Sequence, residues 1–169
     1  MEIVSLEKLP QRADIKDVPT DDPAAVYNVC LALRELCDRE NGLGVSAVQA
    51  GIPWRLFIVK GDDRCPLVKA GEYGYFANCS YSPVGTSEVL SMEGCLSLRD
   101  ADGRLRSFRV KRPYEIRLVG LRLTEGLRFE PFEASLTARQ CGIVFQHETD
   151  HNLGHDGLVS VTGEEVLLW

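Results

Sequence analysis

The chain has 169 residues, a hydrophobic fraction of 44%, 26% charged residues and a net charge of -6. That length and balance fit a single soluble domain able to bury roughly two-thirds of its unfolded surface, and they exclude disorder and fibrous repeats. The acidic surplus disfavours direct binding to nucleic acid or an anionic membrane, and no apolar run approaches a spanning length.

The N-terminal stretch MEIVSLEKLPQRAD carries acidic residues and a proline where a signal peptide needs an apolar core, so the expected location is cytoplasmic. A first helix is predicted over TDDPAAVYNVCLALRELCDRENG, with Asp22 as its cap, Pro23 in its first turn and Asn41-Gly42 as its stop. Val26, Val29, Cys30, Leu33, Leu36 and Cys37 recur at spacings of three and four and form one apolar stripe. NGLGVSAVQAG (41–51) follows, a run of glycines and small residues that reads as a turn and carries near its end Gln49, an amide that donates hydrogen bonds without titrating.

Four short β-rich stretches come next: WRLFIVK (54–60), YGYFANCS (73–80), TSEVLSM (86–92) and LRSFRVKR (105–112). The third runs into SMEGCLSLRD, where Gly94 lets backbone approach closely beside Cys95 at the strand's end. YEIRLVGLRLTEGLRFEPFEAS is the best hairpin, with Ile116/Leu118, Leu121/Leu123 and Leu127/Phe129 pointing inward and a turn at Glu125-Gly126. LTARQCGIVFQHETDHNL (136–153) resumes a helical pattern that stops at Gly154. Runs of strands bracketed by two helices predict an α+β fold, in one domain spanning residues 1–169.

Two groups of residues have a plain structural reading. The basic run Arg104, Arg106, Arg109, Lys111, Arg112 and Arg117 has the period-two spacing of a strand's solvated face. The six cysteines, at positions 30, 37, 65, 79, 95 and 141, contain no CxxC pair. In a reducing compartment most are expected as buried thiols, with one or more available to hold metal.

The chemistry concentrates in FQHETDHNLGHDG (145–157), which contains all three histidines. On a helix His147 and His151 lie four residues apart on one face, so both imidazoles can meet one ion. Glu148 projects beside them, within reach of a proton on water bound there. This HExxH pattern lacks a third ligand, and a catalytic site needs three protein ligands with one position open. The extended HExxHxxGxxH pattern of one zinc protease family fails here, because Gly157 stands where the third histidine would fall. His155 comes two positions too early and reads as a surface or supporting residue, which leaves the cysteines as the remaining soft ligands.

Taken together, GLGVSAVQ (42–49), EGCLS (93–97) and QHETDH (146–151) resemble the three signature segments of the peptide deformylases, G-x-G-x-A-A-x-Q, E-G-C-L-S and Q-H-E-x-D-H. Only Ser46 departs, standing where the family usually has alanine. The resemblance implies antiparallel β-sheets packed around a central C-terminal helix that carries HExxH, plus an N-terminal helix. It also implies a hydrolase that removes the formyl group from N-terminal formyl-methionine of nascent polypeptides, by attack of metal-bound hydroxide on the formyl carbonyl. The implied ligands are Cys95, His147 and His151 around one divalent ion, ferrous iron foremost, with zinc, nickel or cobalt as alternatives. Glu148 would be the general base and acid, and Gln49 with the backbone N–H of Leu96 would stabilise the oxyanion. Leu43, Gly44 and Gly94 would pair with the substrate backbone, while Ile143 and Val144 would wall an apolar slot for the methionine side chain. A monomer with at most transient ribosome contact is expected.

Two departures qualify the likeness. After EGCLS the chain continues as LRDADGRLRSFRVKR, longer than the family's usual loop and without its proline. About 18 residues follow His151, too few for the long C-terminal helix that many members carry, so weaker or differently made ribosome contact is expected. HExxH alone would also permit a small zinc peptidase or a structural metal module. The first is separated by assaying formyl-Met-Ala against internal peptide bonds, and the second by whether Glu148→Ala changes anything beyond metal binding.

Overall fold

The computed structural model describes residues 1–19 and 21–154 together with a two-residue strand at Glu165–Val166. The first helix, α1, runs Pro23–Arg39, and the Asp22 carboxylate caps it by accepting from the Ala25 N–H at 2.9 Å. Its stop uses Asn41, whose φ of 55° places an asparagine in the left-handed region, so that the Gly42 N–H reaches the Cys37 carbonyl at 2.9 Å. Five of the six predicted stripe residues are buried, and Val29 is partly so.

Five strands form one antiparallel sheet in the order β1-β2-β3-β6-β7: β1 (Gly44–Ser46), β2 (Leu56–Lys60), β3 (Tyr73–Pro83), β6 (Glu115–Leu123) and β7 (Phe129–Thr137). A second sheet has the order β4-β5-β8, from β4 (Glu88–Arg99), β5 (Leu105–Pro113) and β8 (Glu165–Val166). The second helix, α2, runs Gly142–Asp150.

β2 explains how the layers stack. Leu56 and Ile58 pack in the cluster that includes the α1 stripe, whereas Phe57 and Val59 pack with Phe145 of α2 on the opposite face. A strand covered on both sides has no polar face to show, which is why LFIV reads as an unbroken apolar run. Phe145 meets Phe76 and Phe57 edge-on, at centroid distances of 4.8 and 5.9 Å. On its other side α2 faces the second sheet, where Phe108 of β5 stacks near His147 and a third apolar cluster gathers Cys95, Phe108, Val110, Val48 and Leu9. The expected α+β arrangement is thus present, with α2 between two antiparallel sheets and α1 on the outside.

Three local expectations are corrected, and one cysteine pairing is added to an expectation of mostly buried thiols that holds for four of the six. The helix predicted over 136–153 starts only at Gly142, because β7 continues through Thr137 and the Gln140 side chain then accepts from the Thr137 N–H and hydroxyl. A Cβ at Gly142 would stand 2.6 Å from the Thr137 carbonyl oxygen, so the helix begins in direct contact with the strand it leaves. Leu127 does not point inward: it is the residue of the β6–β7 turn with φ of 56°, and it is exposed. GVS (44–46) is a strand and not a turn, pairing antiparallel with Phe57–Val59. Cys65 and Cys141 are joined by a disulfide that ties the β2–β3 connection to the start of α2, while Cys30, Cys37, Cys79 and Cys95 are buried thiols.

Candidate active site

α2 sets the histidines. Their four-residue spacing brings the His147 and His151 rings to a centroid distance of 5.1 Å. The third donor comes from β4, whose register against β5 runs unbroken from Glu88 to Gly94, then shifts before Arg99. Such a bulge re-aims side chains at functional sites. Here it carries Cys95 and Leu96 out of the paired register, with Cys95 Sγ lying 3.6 Å from His151 Nε2. The ligand atoms of Cys95, His147 and His151 all fall within 4.8 Å of one another, and all three residues are buried. A sulfur with two imidazole nitrogens is a soft to borderline set that suits a divalent transition metal. Burial pushes the Cys95 thiol up, but His151 and His147 together bring it down to about 6, which favours the thiolate a metal needs.

Glu148 projects from the same turn toward the first sheet. Its Oε2 is buried without a hydrogen-bond partner among the described residues, and burial pushes its carboxyl up to about 7. Gly44 makes room for this carboxylate, since a Cβ there would lie 2.7 Å from Glu148 Oε1 and 2.9 Å from the Ile58 carbonyl oxygen. Gln49 is locked by its own loop: Oε1 accepts from the Ser46 N–H at 3.0 Å, and Nε2 donates toward Cys95 Sγ at 3.5 Å. The Ser46 hydroxyl, absent where alanine is usual, accepts from the Val48 N–H at 3.1 Å, so it is satisfied within the turn.

A buried network holds the histidine in place; of its members Asp150 reads from the sequence as an anchor for backbone or a basic side chain, while Glu93, Arg112 and Tyr81 are assigned no such role there. Glu93 Oε2 accepts from His147 Nδ1 at 2.8 Å, which leaves Nε2 free to turn toward the other ligands. Arg112 grips both Glu93 oxygens at 2.8 Å and also pairs with Asp150, which accepts from the Tyr81 hydroxyl. Arg112 is only 2% exposed, so it leaves the solvated face to which its spacing assigned it; Arg109 and Lys111 stay exposed on β5, and Arg117 is exposed on β6 of the other sheet. The signal was available, because Arg112 follows Lys111 directly and adjacent strand residues point to opposite faces.

A cavity of about 270 Å³ opens beside these groups, lined by Leu43, Gly44, Gln49, Gly94, Leu96, Ile143, Val144, His147 and Glu148, with Met92 and Leu105 at its mouth. Nine sequence-singled residues therefore meet at one cavity, with Cys95 and His151 behind it. His155 lies outside the described residues. β1 and β4, which border the cavity, are the outermost strands of their sheets.

A sequence profile of the polypeptide deformylases matches residues 1–159 of this chain. A peptide deformylase of Bifidobacterium adolescentis is 35% identical over 120 residues, which is 67% of this chain and only 50% of that relative's length. Among solved structures, a class I type b peptide deformylase of Acinetobacter baumannii with Met-Ala-Ser bound superposes with a TM-score of 0.71, 23% identity and coverage of 97% and 96% of the two chains. A peptide deformylase of Plasmodium falciparum in complex with an inhibitor gives 0.70, 20% identity and coverage of 96% and 89%. The likeness to these two structures is one of fold. With the profile spanning nearly the whole chain and the three-donor cluster formed by its signature segments, this chain belongs to the polypeptide deformylase family.

Proposed function

We propose that the chain is a peptide deformylase, a metal-dependent amidase that hydrolyses the formyl group from N-terminal formyl-methionine of nascent polypeptides. The observation that carries this reading is the convergence of Cys95, His147 and His151 next to buried Glu148, whose Oε2 has no hydrogen-bond partner among the described residues, at the inner end of an apolar slot. The donor set fits a divalent ion; ferrous iron is the first expectation, with zinc, nickel and cobalt compatible with the same ligands. When bound, the ion supplies Lewis-acid polarisation of the formyl oxygen and a lowered pKa for water.

The remaining steps belong to the protein. Glu148 takes a proton from the attacking water and returns it to the leaving amine, a role worth about 10²- to 10⁴-fold. Gln49 Nε2 keeps a second proton free beside its bond to Cys95, and the Leu96 N–H lies outside the paired register, so both can donate to the developing oxyanion. Leu43 and Gly44 on one bordering strand region, and Gly94 on the other, offer main-chain groups to an extended peptide. Ile143 and Val144, one helical turn before His147, line the slot where an unbranched methionine side chain fits. The same reading has the chain work in the cytoplasm as a monomer that meets the ribosome transiently.

The test is formate release from formyl-Met-Ala-Ser by anaerobically prepared, metal-loaded protein, with the metal content measured. Glu148→Gln should retain metal and lose at least about 100-fold in kcat/KM. Cleavage of internal peptide bonds in place of formate release, or full activity in Glu148→Gln, would overturn the proposal.

A further inference from the structure

The Cys65–Cys141 bond takes no part in the proposed chemistry, yet it ends at the helix that carries His147, Glu148 and His151. Cys141 is the N-cap residue of α2 and makes no side-chain capping bond, so the first N–H groups of the helix, which have no acceptor inside it, receive none from this side chain. Ile143 and Val144, the walls of the apolar slot, follow two and three residues later. At the other end Cys65 lies in the β2–β3 connection. Cys65, Leu67 and Val144 all pack against the apolar cluster that includes Cys141 and Phe145.

The bond is open to exchange from one side. Cys141 is 6% exposed, whereas Cys65 is only partly buried and is flanked by exposed Arg64 and Pro66. A small thiolate therefore reaches the Cys65 sulfur, and the S–S electron pair leaves on Cys141. There the free N–H groups and positive end of the nine-residue helix stabilise the departing thiolate, which favours cleavage. A second thiolate then attacks the outer sulfur of the mixed disulfide on Cys65, and the small-molecule disulfide departs. Each cysteine takes up one proton, and the two small thiols have supplied the two electrons. The Cα atoms of Cys65 and Cys141 stand 5.1 Å apart, so the reverse exchange can close the bond without moving backbone.

Opening the bond has a local reach. Main-chain bonds close the base of the β2–β3 connection, from the Gly61 N–H to the Glu72 carbonyl at 2.9 Å and from the Gly71 N–H to the Gly61 carbonyl at 3.0 Å, so only the tip between them is released. On α2, Gln146 Nε2 donates to the Pro113 carbonyl at 3.2 Å and Phe145 stays packed edge-on against Phe57 and Phe76, which keeps His147 and His151 in place. The first turn, with Ile143 and Val144, loses its covalent anchor. In the cytoplasm, where the proposed function has the chain work, disulfides are rare and those that form are usually transient. We infer that Cys65–Cys141 is a thiol-exchange site for low-molecular-weight thiols of the glutathione class, and that its opening slackens the methionine slot while leaving the metal donors unchanged. The exchange stands by itself; its effect on catalysis rests on the deformylase reading.

The experiment equilibrates metal-loaded protein in glutathione buffers, traps free thiols by alkylation, and reads the Cys65 and Cys141 peptides by mass spectrometry. At about 10 mM reduced glutathione, half of the bond should open before the thiol outnumbers its disulfide about 10⁴-fold, a ratio at which structural disulfides stay closed. In Cys141→Ser, glutathione disulfide should mark Cys65, and in Cys65→Ser it should leave Cys141 unmarked. After anaerobic removal of the small thiols, opened wild type should show a KM for formyl-Met-Ala-Ser about fivefold above that of the closed form, with kcat and metal content unchanged. Cys65→Ser should match the opened form in every buffer. A bond still closed at that ratio, Cys141 marked ahead of Cys65, or equal KM in the two forms would overturn the inference. If neither form yields formate, the proposed function fails, and the trapping still decides the exchange site.

Discussion

Replacing Arg112 with methionine isolates what keeps the His147 side of the donor cluster in place. Arg112 is 2% exposed and compensates two buried carboxylates, Glu93 and Asp150. Removing one partner of a buried ion pair typically costs about 3–5 kcal/mol, because the other charge is left without water or a counter-ion. Titration gives a second route to the size of the effect. Burial pushes Glu93 up, yet Arg112, followed by His147, pulls it from 4.5 down to about 2, worth about 3 kcal/mol at about 1.4 kcal/mol per unit. A depressed carboxylate contributes its stability above the unfolded value near 4.5 and loses it as pH falls toward 2, so at pH 7 the whole effect is present. Urea unfolding at pH 7 of the metal-free Arg112→Met protein should therefore show a loss of about 3 kcal/mol. Metal affinity should drop about 10- to 100-fold as Glu93 loosens its hold on His147 Nδ1. Adding Glu93→Gln to Arg112→Met should recover part of the stability, since one stranded charge disappears. A single-variant loss below about 1 kcal/mol, or a double variant no more stable than the sum of its parts, would refute this reasoning.

Other outcomes follow from the cysteines. The Cys65–Cys141 bond joins residues 76 apart, and the loop-closure entropy of such a link is worth up to about 4.5 kcal/mol. Oxidised wild type should melt several degrees above the reduced protein, Cys65→Ser should not respond to reductant, and identical melting of both wild-type forms would contradict the link. Burial pushes Cys30 and Cys79 up to about 12 and Cys37 up to about 11, from 9.0. Unfolded thiols ionise first as pH rises, so the folded state binds more protons above pH 9 and stability falls there by about 1.4 kcal/mol per unit for each thiol. Urea midpoints measured from pH 8 to 10.5 should drop steeply beyond 9 in wild type and less so in Cys79→Ala; a flat profile would sink this account.

How much could be read in advance depended on whether the deciding interaction was local. The α1 stripe and its Asp22 cap are local, and both are present as read. The signature segments contain Glu93 and Asp150, and Asp150, next to His151, reads from the sequence as anchoring backbone or a basic side chain, as its pairing with Arg112 bears out; Arg112 and Tyr81 are not legible as partners, because the four residues come from different elements and meet only after the sheets close on α2. The start of α2 was misplaced because Leu136 and Thr137 suit either period, and the pairing with Glu115 and Ile116 across β6 won. At the β6–β7 turn Gly126 seemed the natural bearer of an unusual backbone angle. The Thr124 N–H to Arg128 carbonyl and Leu127 N–H to Thr124 carbonyl bonds assign it to Leu127 instead. β1 escaped notice because three small residues carry no alternation; it is a strand only through its partner β2.

The two strands flanking the cavity end their sheets differently. β1 is three residues long, and β4 breaks register beyond Gly94. Together they cap the number of main-chain bonds any guest can form, whatever its length. Exposed strand margins usually invite further strands to pair, and the shortness of β1 and the break in β4 beyond Gly94 leave little straight template at the cavity itself. What these margins can hold is a short, single strand, so discrimination among guests has to come from the side chains lining the walls.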